Sequence, residues 1–110
     1  MIVTWDMARA FVEAVSDICA EKHFEGVYGF PRGGLPLAVW ISHRGKVPLL
    51  LAPSKNCLIV DDIADTGQTL LKYKDSHYIA TMFYHRQSAV VPAFWMFEKK
   101  DEWIIFPWEK

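Results

Sequence analysis

Apolar positions change period along the chain, and the changes mark its elements. Ile2-Val3-Thr4 is a short extended start. Met7, Ala10, Phe11, Ala14, Val15 and Ile18 then recur at helical spacing, which predicts a helix with one apolar face through about Ala20. Thr4 can cap it, and Asp6 falls in the first turn, where the helix dipole favours a carboxylate. Gly26-Val27-Tyr28-Gly29-Phe30 reads as a short strand broken by Pro31-Arg32-Gly33-Gly34. A second helix is predicted over 35–43, with Pro36 near its start, where proline is tolerated, and Gly45 at its end. Residues 47–51 form an apolar strand. Residues 57–60 form another, apolar throughout, as for a strand covered on both faces. A third helix is predicted over about 66–74 and a strand over 78–84, while 94–97 fits either type. Residues 103–106 read as a last short strand ended by Pro107. Strand and helix alternate, which predicts an α/β fold: a mainly parallel, twisted sheet with helices on its faces.

A chain of 110 residues suits one domain spanning 1–110. With 52% hydrophobic and 23% charged residues, disorder is not expected. Five tryptophans are many for so small a chain, and two readings stand: a self-association surface making a homo-oligomer (dimer or tetramer), or a tightly packed core. A net charge of −1 gives no basic excess, so no nucleic-acid partner is expected. No apolar run approaches the ~20 residues of a membrane span, and the start lacks the basic-then-apolar form of a signal peptide, so a cytoplasmic protein without a membrane partner is expected. Cys19 and Cys57 have no CxxC spacing, which argues against zinc and against a disulfide framework.

In parallel sheets of this class, ligands gather beyond the carboxyl ends of the strands. That directs attention to the loops after Phe30 and after Val60. In the second, an apolar strand runs into Asp61-Asp62-Ile63-Ala64-Asp65-Thr66-Gly67-Gln68-Thr69-Leu70. The first amides of a following helix would point outward without internal partners and attract a phosphate dianion. Gly67 would let the backbone come close, and Thr66 and Thr69 would add hydroxyl donors. Asp61 and Asp62 would repel a phosphate but suit the two hydroxyls of a ribose, or a Mg²⁺ ion. Read without a ligand, the same stretch is an acidic turn with ordinary helix capping.

The run Asp61 to Thr69 resembles the signature with which type I phosphoribosyltransferases bind 5-phosphoribosyl-1-diphosphate. Ile2-Val3-Thr4-Trp5-Asp6-Met7 and Asp101-Glu102-Trp103-Ile104-Ile105-Phe106-Pro107-Trp108-Glu109 are similar to the two ends of the bacterial and archaeal xanthine-guanine branch of that family. The resemblance implies the type I fold with a minimal hood. It also implies a purine-salvage transferase that joins a purine base (guanine, xanthine or hypoxanthine) to the 5-phosphoribosyl group, with Mg²⁺ as cofactor. Asp61 and Asp62 would hold the ribose hydroxyls, directly or through the metal. Asp65 would act as general acid/base near the purine N7. Ala64, Asp65, Thr66, Gly67, Gln68 and Thr69 would cradle the 5-phosphate. Arg32, Gly33 and Gly34 match the diphosphate loop, in which relatives often carry a cis peptide bond not followed by proline. Trp103 would stack on the base and Ile104 would meet its edge through the backbone. Where relatives use a lysine toward the purine 6-oxygen, this chain has His85 and Arg86, and a solvated strand end is an equal reading for either.

One stretch departs from the family. Relatives place a long flexible lid between the strands that end near Leu51 and begin near Cys57; here only Ala52-Pro53-Ser54-Lys55-Asn56 joins them. Lys55 either reaches the diphosphate in place of the lid or is a surface lysine in a turn. Three readings follow: a lid-trimmed transferase, a non-catalytic module that senses a nucleotide or the sugar diphosphate, or a subunit that borrows its lid from a partner chain.

Overall fold

The computed structural model describes residues 1–109. Four strands, β1 (Val27–Gly29), β2 (Leu58–Ala64), β3 (Tyr78–His85) and β4 (Phe94–Lys99), form one sheet in the order β1-β2-β3-β4. All three pairings are parallel, as the alternation predicts. Residues 94–97, which the pattern leaves open, belong to β4. The two outermost expected strands contract to isolated bridges, Leu49 beside Val27 and Ile105 beside Ile2.

Helix α1 (Trp5–Lys22) starts as expected: the Thr4 hydroxyl accepts the Met7 amide at 3.2 Å. Its buried stripe is Ala8, Phe11, Val12, Val15 and Cys19, rotated from the expected one, so that Ala10 faces solvent. Helix α2 (Gly34–Gly45) ends where Lys46 turns left-handed, at φ 55°. Both helices lie on one face of the sheet, where Leu37, Ala38, Ile41 and Phe11 bury against Leu58, Val60, Ala80 and Met82. Ile59 and Ile79 point to the other face and bury with Leu70 and Val90. A strand covered on both sides must be apolar throughout, which accounts for the run in β2.

That second cover is not the expected third helix. Residues 66–74 form a chain of turns with one 3₁₀ turn, Leu71–Tyr73. The carbonyl of Thr66 is taken by the amide of Ala89 at 2.8 Å instead of by a helical neighbour. Gly67 is left-handed at φ 81°. Both features stop helical propagation at its costly first turn, and burial of Leu70 holds the turn in place.

Cys19 and Cys57 are free and buried. No helix among the described residues is long and apolar enough to cross a membrane. Trp5 stands half exposed between Trp40 and Trp108, at ring distances of 6.2 and 6.0 Å, with exposed Ile2, Leu35 and Val39 also in α1, α2 or their approaches.

Candidate functional site

The loops after β1 and within the end of β2 meet. A Cβ on Gly33 would fall on the Asp62 carboxylate, and one on Gly34 would lie 2.7 Å from the Val60 carbonyl oxygen and 3.1 Å from the Asp61 carboxylate. Only glycines let the Arg32 turn rest directly on the two acidic residues. The Pro31–Arg32 peptide bond, not followed by proline, is cis, as the resemblance leads one to expect. The Arg32 guanidinium has no carboxylate partner among the described residues.

Two cavities open from this junction. The larger, about 510 Å³, is walled by Arg32, Gly33, Pro36, Asp62, Trp108 and Glu109. The smaller, about 190 Å³, lies between Asp62, Asp65, Lys99, Trp103 and Ile104. Asp62 and Glu109 line both. Trp103 is 78% exposed and its ring is free to receive a flat ligand. Its own carbonyl accepts the terminal amine of Met1 at 2.7 Å, which ties the segment down. Neighbouring Ile105 pairs with Met1 and Val3, whereas the backbone N–H and carbonyl of Ile104 have no partner among the described residues.

Asp61 and Asp62 lie side by side, partly buried, and Asp61 accepts the Asp62 amide at 2.9 Å. Burial first, then the Asp62 charge, pushes the Asp61 carboxyl from its ordinary 3.8 up to about 8. Burial likewise raises Asp62. Because the folded value of Asp61 lies above the ordinary one, its contribution to stability is intact below about pH 4 and is lost as the pH rises to about 8. Asp61→Asn should therefore stabilise the chain by about 1–3 kcal/mol at pH 9 and by nothing measurable at pH 4. Thermal melts at the two pH values check this, and an equal effect at both would contradict it.

Two carboxylates held together without a facing cation suit a divalent ion or sugar hydroxyls. Among the described residues no group of three or more His, Cys, Asp or Glu could cage a metal. Asp61 and Asp62 are the residues that would hold a Mg²⁺, whose other ligands would have to come from water or a bound substrate.

The phosphate-loop candidates follow at once. Asp65 and Thr66 leave β2, and Gly67 packs so tightly on the loop after β3 that an added Cβ would lie 2.5 Å from the Ser88 hydroxyl and 2.8 Å from the Ala89 amide nitrogen. The Thr66 hydroxyl accepts the Gln68 amide at 3.3 Å. The amides of Thr66, Gly67 and Thr69 have no partner among the described residues. Open donors thus exist as expected, but a turn supplies them. The helix dipole invoked from the sequence plays no part.

Asp65 has partners the sequence did not reveal. Lys99 Nζ donates to Asp65 Oδ2 at 3.0 Å, and His85 Nδ1 lies 3.8 Å from the other oxygen. Lys99 arrives through the pairing of β3 with β4, in which His85 faces Lys99. Arg86 points away: it is 81% exposed and 3.6 Å from Glu98. Lys55 lies at the opposite end of the strands. Its link is fixed there by Glu25, which accepts from Ser54 Oγ and the Asn56 amide, and by the contact of His77 Nε2 with the Ser54 carbonyl at 2.8 Å. It does not stand in for a lid.

No protein-family model matches the chain. It is 26% identical to a xanthine-guanine phosphoribosyltransferase of Chromohalobacter salexigens, with 97% of this chain and 82% of the relative covered. Against the enzyme of the same name from Desulfotalea psychrophila the identity is 23%, over 97% and 84% of the two chains. The crystal structure of a purine phosphoribosyltransferase from Pyrococcus horikoshii superimposes with a TM-score of 0.85 at 27% identity, covering 100% of this chain and 94% of that one.

Proposed function

Because the chain belongs to the type I phosphoribosyltransferases, we propose that it transfers the 5-phosphoribosyl group of 5-phosphoribosyl-1-diphosphate to a 6-oxopurine (guanine, xanthine or hypoxanthine). The observation that carries this reading is the pair of cavities sharing Asp62. A ribose at the junction would send its diphosphate toward Arg32 and its base toward Trp103. Its 5-phosphate would meet the open amides of Thr66, Gly67 and Thr69.

In the reaction a ring nitrogen of the base forms a bond to C1′ as the bond to diphosphate breaks. Arg32 offers a planar fork of donors to the departing oxygens, and Gly33 and Gly34 bring backbone amides close. Asp61 and Asp62 orient the sugar through its hydroxyls. Asp65 holds the proton at N7 of the base and gives or takes it as the ring charge changes. A Mg²⁺ held by the carboxylate pair would supply charge neutralisation to the diphosphate. Trp103 provides the stacking face and the unpaired backbone groups of Ile104 meet the base edge.

Named transferases among the relatives, and coverage of 94% of the P. horikoshii enzyme, favour transfer over a sensing module. The test is direct: purified protein with 5-phosphoribosyl-1-diphosphate, Mg²⁺ and each of the three bases should form nucleotide. Retained nucleotide binding without turnover would leave the sensing reading in its place. The link of residues 52–56 is held at the far end of the sheet and supplies no lid over the sugar. Slow base-independent release of diphosphate is therefore expected, and a complete absence of hydrolysis would show that some other element closes the site. Trp103→Ala should weaken nucleotide binding by about 1–3 kcal/mol while leaving ribose 5-phosphate affinity unchanged, and calorimetry with both ligands separates the two. The exposed apolar face around Trp5, Ile2, Leu35 and Val39 supports self-association, for which light scattering should report more than a monomer.

A further inference from the structure

The segment that carries Trp103 and Ile104 lies outside the four-stranded sheet. Among the described residues, the backbone groups of residues 101–105 bond only to residues 1–3. The Ile105 amide donates to the Met1 carbonyl, and the Ile105 carbonyl accepts the Val3 amide, each at 2.9 Å. These two bonds make the parallel bridge between Ile2 and Ile105. A trans peptide unit is rigid, and its N–H and C=O point in opposite directions. The Ile105 amide and the Ile104 carbonyl belong to one such unit. The bond to Met1 therefore turns the Ile104 carbonyl away from residues 1–3, and Ile104 lines the smaller cavity.

We propose that the Met1 carbonyl and the Val3 amide are positioning groups of the base site: they hold Ile105 so that the backbone of Ile104 faces the purine. This rests on the reading of the smaller cavity as the base site. The two groups touch no ligand and act through Ile105. Side chains supply a different part of the placement. Ile104 and Phe106 bury in the core and decide which face of the segment turns inward. Trp103 is 78% exposed, so packing does little to hold it, and its place depends on the backbone two residues on. The bridge is short, with one bond on each side of Ile105, so the loss of either leaves a single tether there.

Equilibrium binding tests this whether or not the protein turns over, with inosine 5′-monophosphate and ribose 5-phosphate as probes. Val3→Pro removes the amide and leaves the Ile105 carbonyl without its partner. It should weaken the nucleotide about 5–30-fold and change ribose 5-phosphate affinity by less than about twofold. Two comparison variants should keep the wild-type ratio of the two affinities. Ile2→Pro puts the same ring where the N–H takes no part in the bridge, and Val3→Ala keeps the amide while trimming the buried side chain. If Val3→Pro does not fold, exchanging only the Val3 amide nitrogen for an ester oxygen in the full chain allows the same comparison with the side chain intact. An unchanged ratio in the chain that lacks the amide, or an equal fall in Val3→Ala, would make the bridge merely structural and overturn the proposal. A wild-type chain that binds the nucleotide no more tightly than ribose 5-phosphate would also overturn it, yet leave the sugar-phosphate reading standing. Failure of both ligands to bind would remove both.

Discussion

Gly67→Ala should weaken ribose 5-phosphate binding at least ~100-fold and destabilise the chain by about 2–4 kcal/mol. Two independent effects add. A φ of 81° is strained for any residue with a Cβ. The new methyl would also lie 2.5 Å from the Ser88 hydroxyl and 2.8 Å from the amide nitrogens of Ala89 and Val90. These atoms cannot yield freely: the Ala89 amide holds the Thr66 carbonyl, and Ser88 Oγ donates to the Val90 carbonyl at 2.7 Å while accepting the Val90 amide at 3.1 Å. Relief must come from the Thr66–Gly67 turn itself, which moves the open amides away from the anion. Calorimetric titration together with a thermal melt measures both losses. Alanine tolerated with unchanged affinity would mean that this turn does not hold the phosphate.

Asp65→Asn separates chemistry from binding. Turnover should fall about 10²- to 10⁴-fold, the usual contribution of a positioned acid/base group, while ribose 5-phosphate affinity changes little. The carboxylate lies at the edge of the smaller cavity, and its partners Lys99 and His85 come from β4 and β3. Steady-state rates with hypoxanthine, set beside sugar-phosphate affinity, resolve the two. Unchanged turnover would remove Asp65 from the proton transfers.

The parallel sheet and both long helices can be read from the apolar pattern because each obeys a local rule: period 3.6 in α1, an unbroken apolar run in β2. The Asp61 to Thr69 segment stands out for the same reason, since strand, acids and turn are consecutive. Two parts are invisible to such rules. Gln68 to Lys74 has helix-forming composition, yet residues 66–74 are turns, because the Thr66 carbonyl bonds to Ala89, more than twenty positions along the chain. Lys99 is 34 residues from Asp65 and reaches it only through the register of β3 against β4. Sequence proximity points instead to His85 and Arg86, of which one lies behind the carboxylate and the other faces water. Trp108 and Glu109 likewise join the larger cavity only because Ile105 bridges to Ile2 and brings the end of the chain back over the sheet.

That a turn of backbone amides after Asp61 and Asp62 grips a sugar phosphate is best tested by nuclear magnetic resonance of the ¹⁵N-labelled chain during titration with ribose 5-phosphate. The amide signals of Thr66, Gly67 and Thr69 should move together and saturate, while those of Glu25 and Asn56 at the far end of the sheet stay still. Saturable binding that leaves these three amides unmoved would contradict the account.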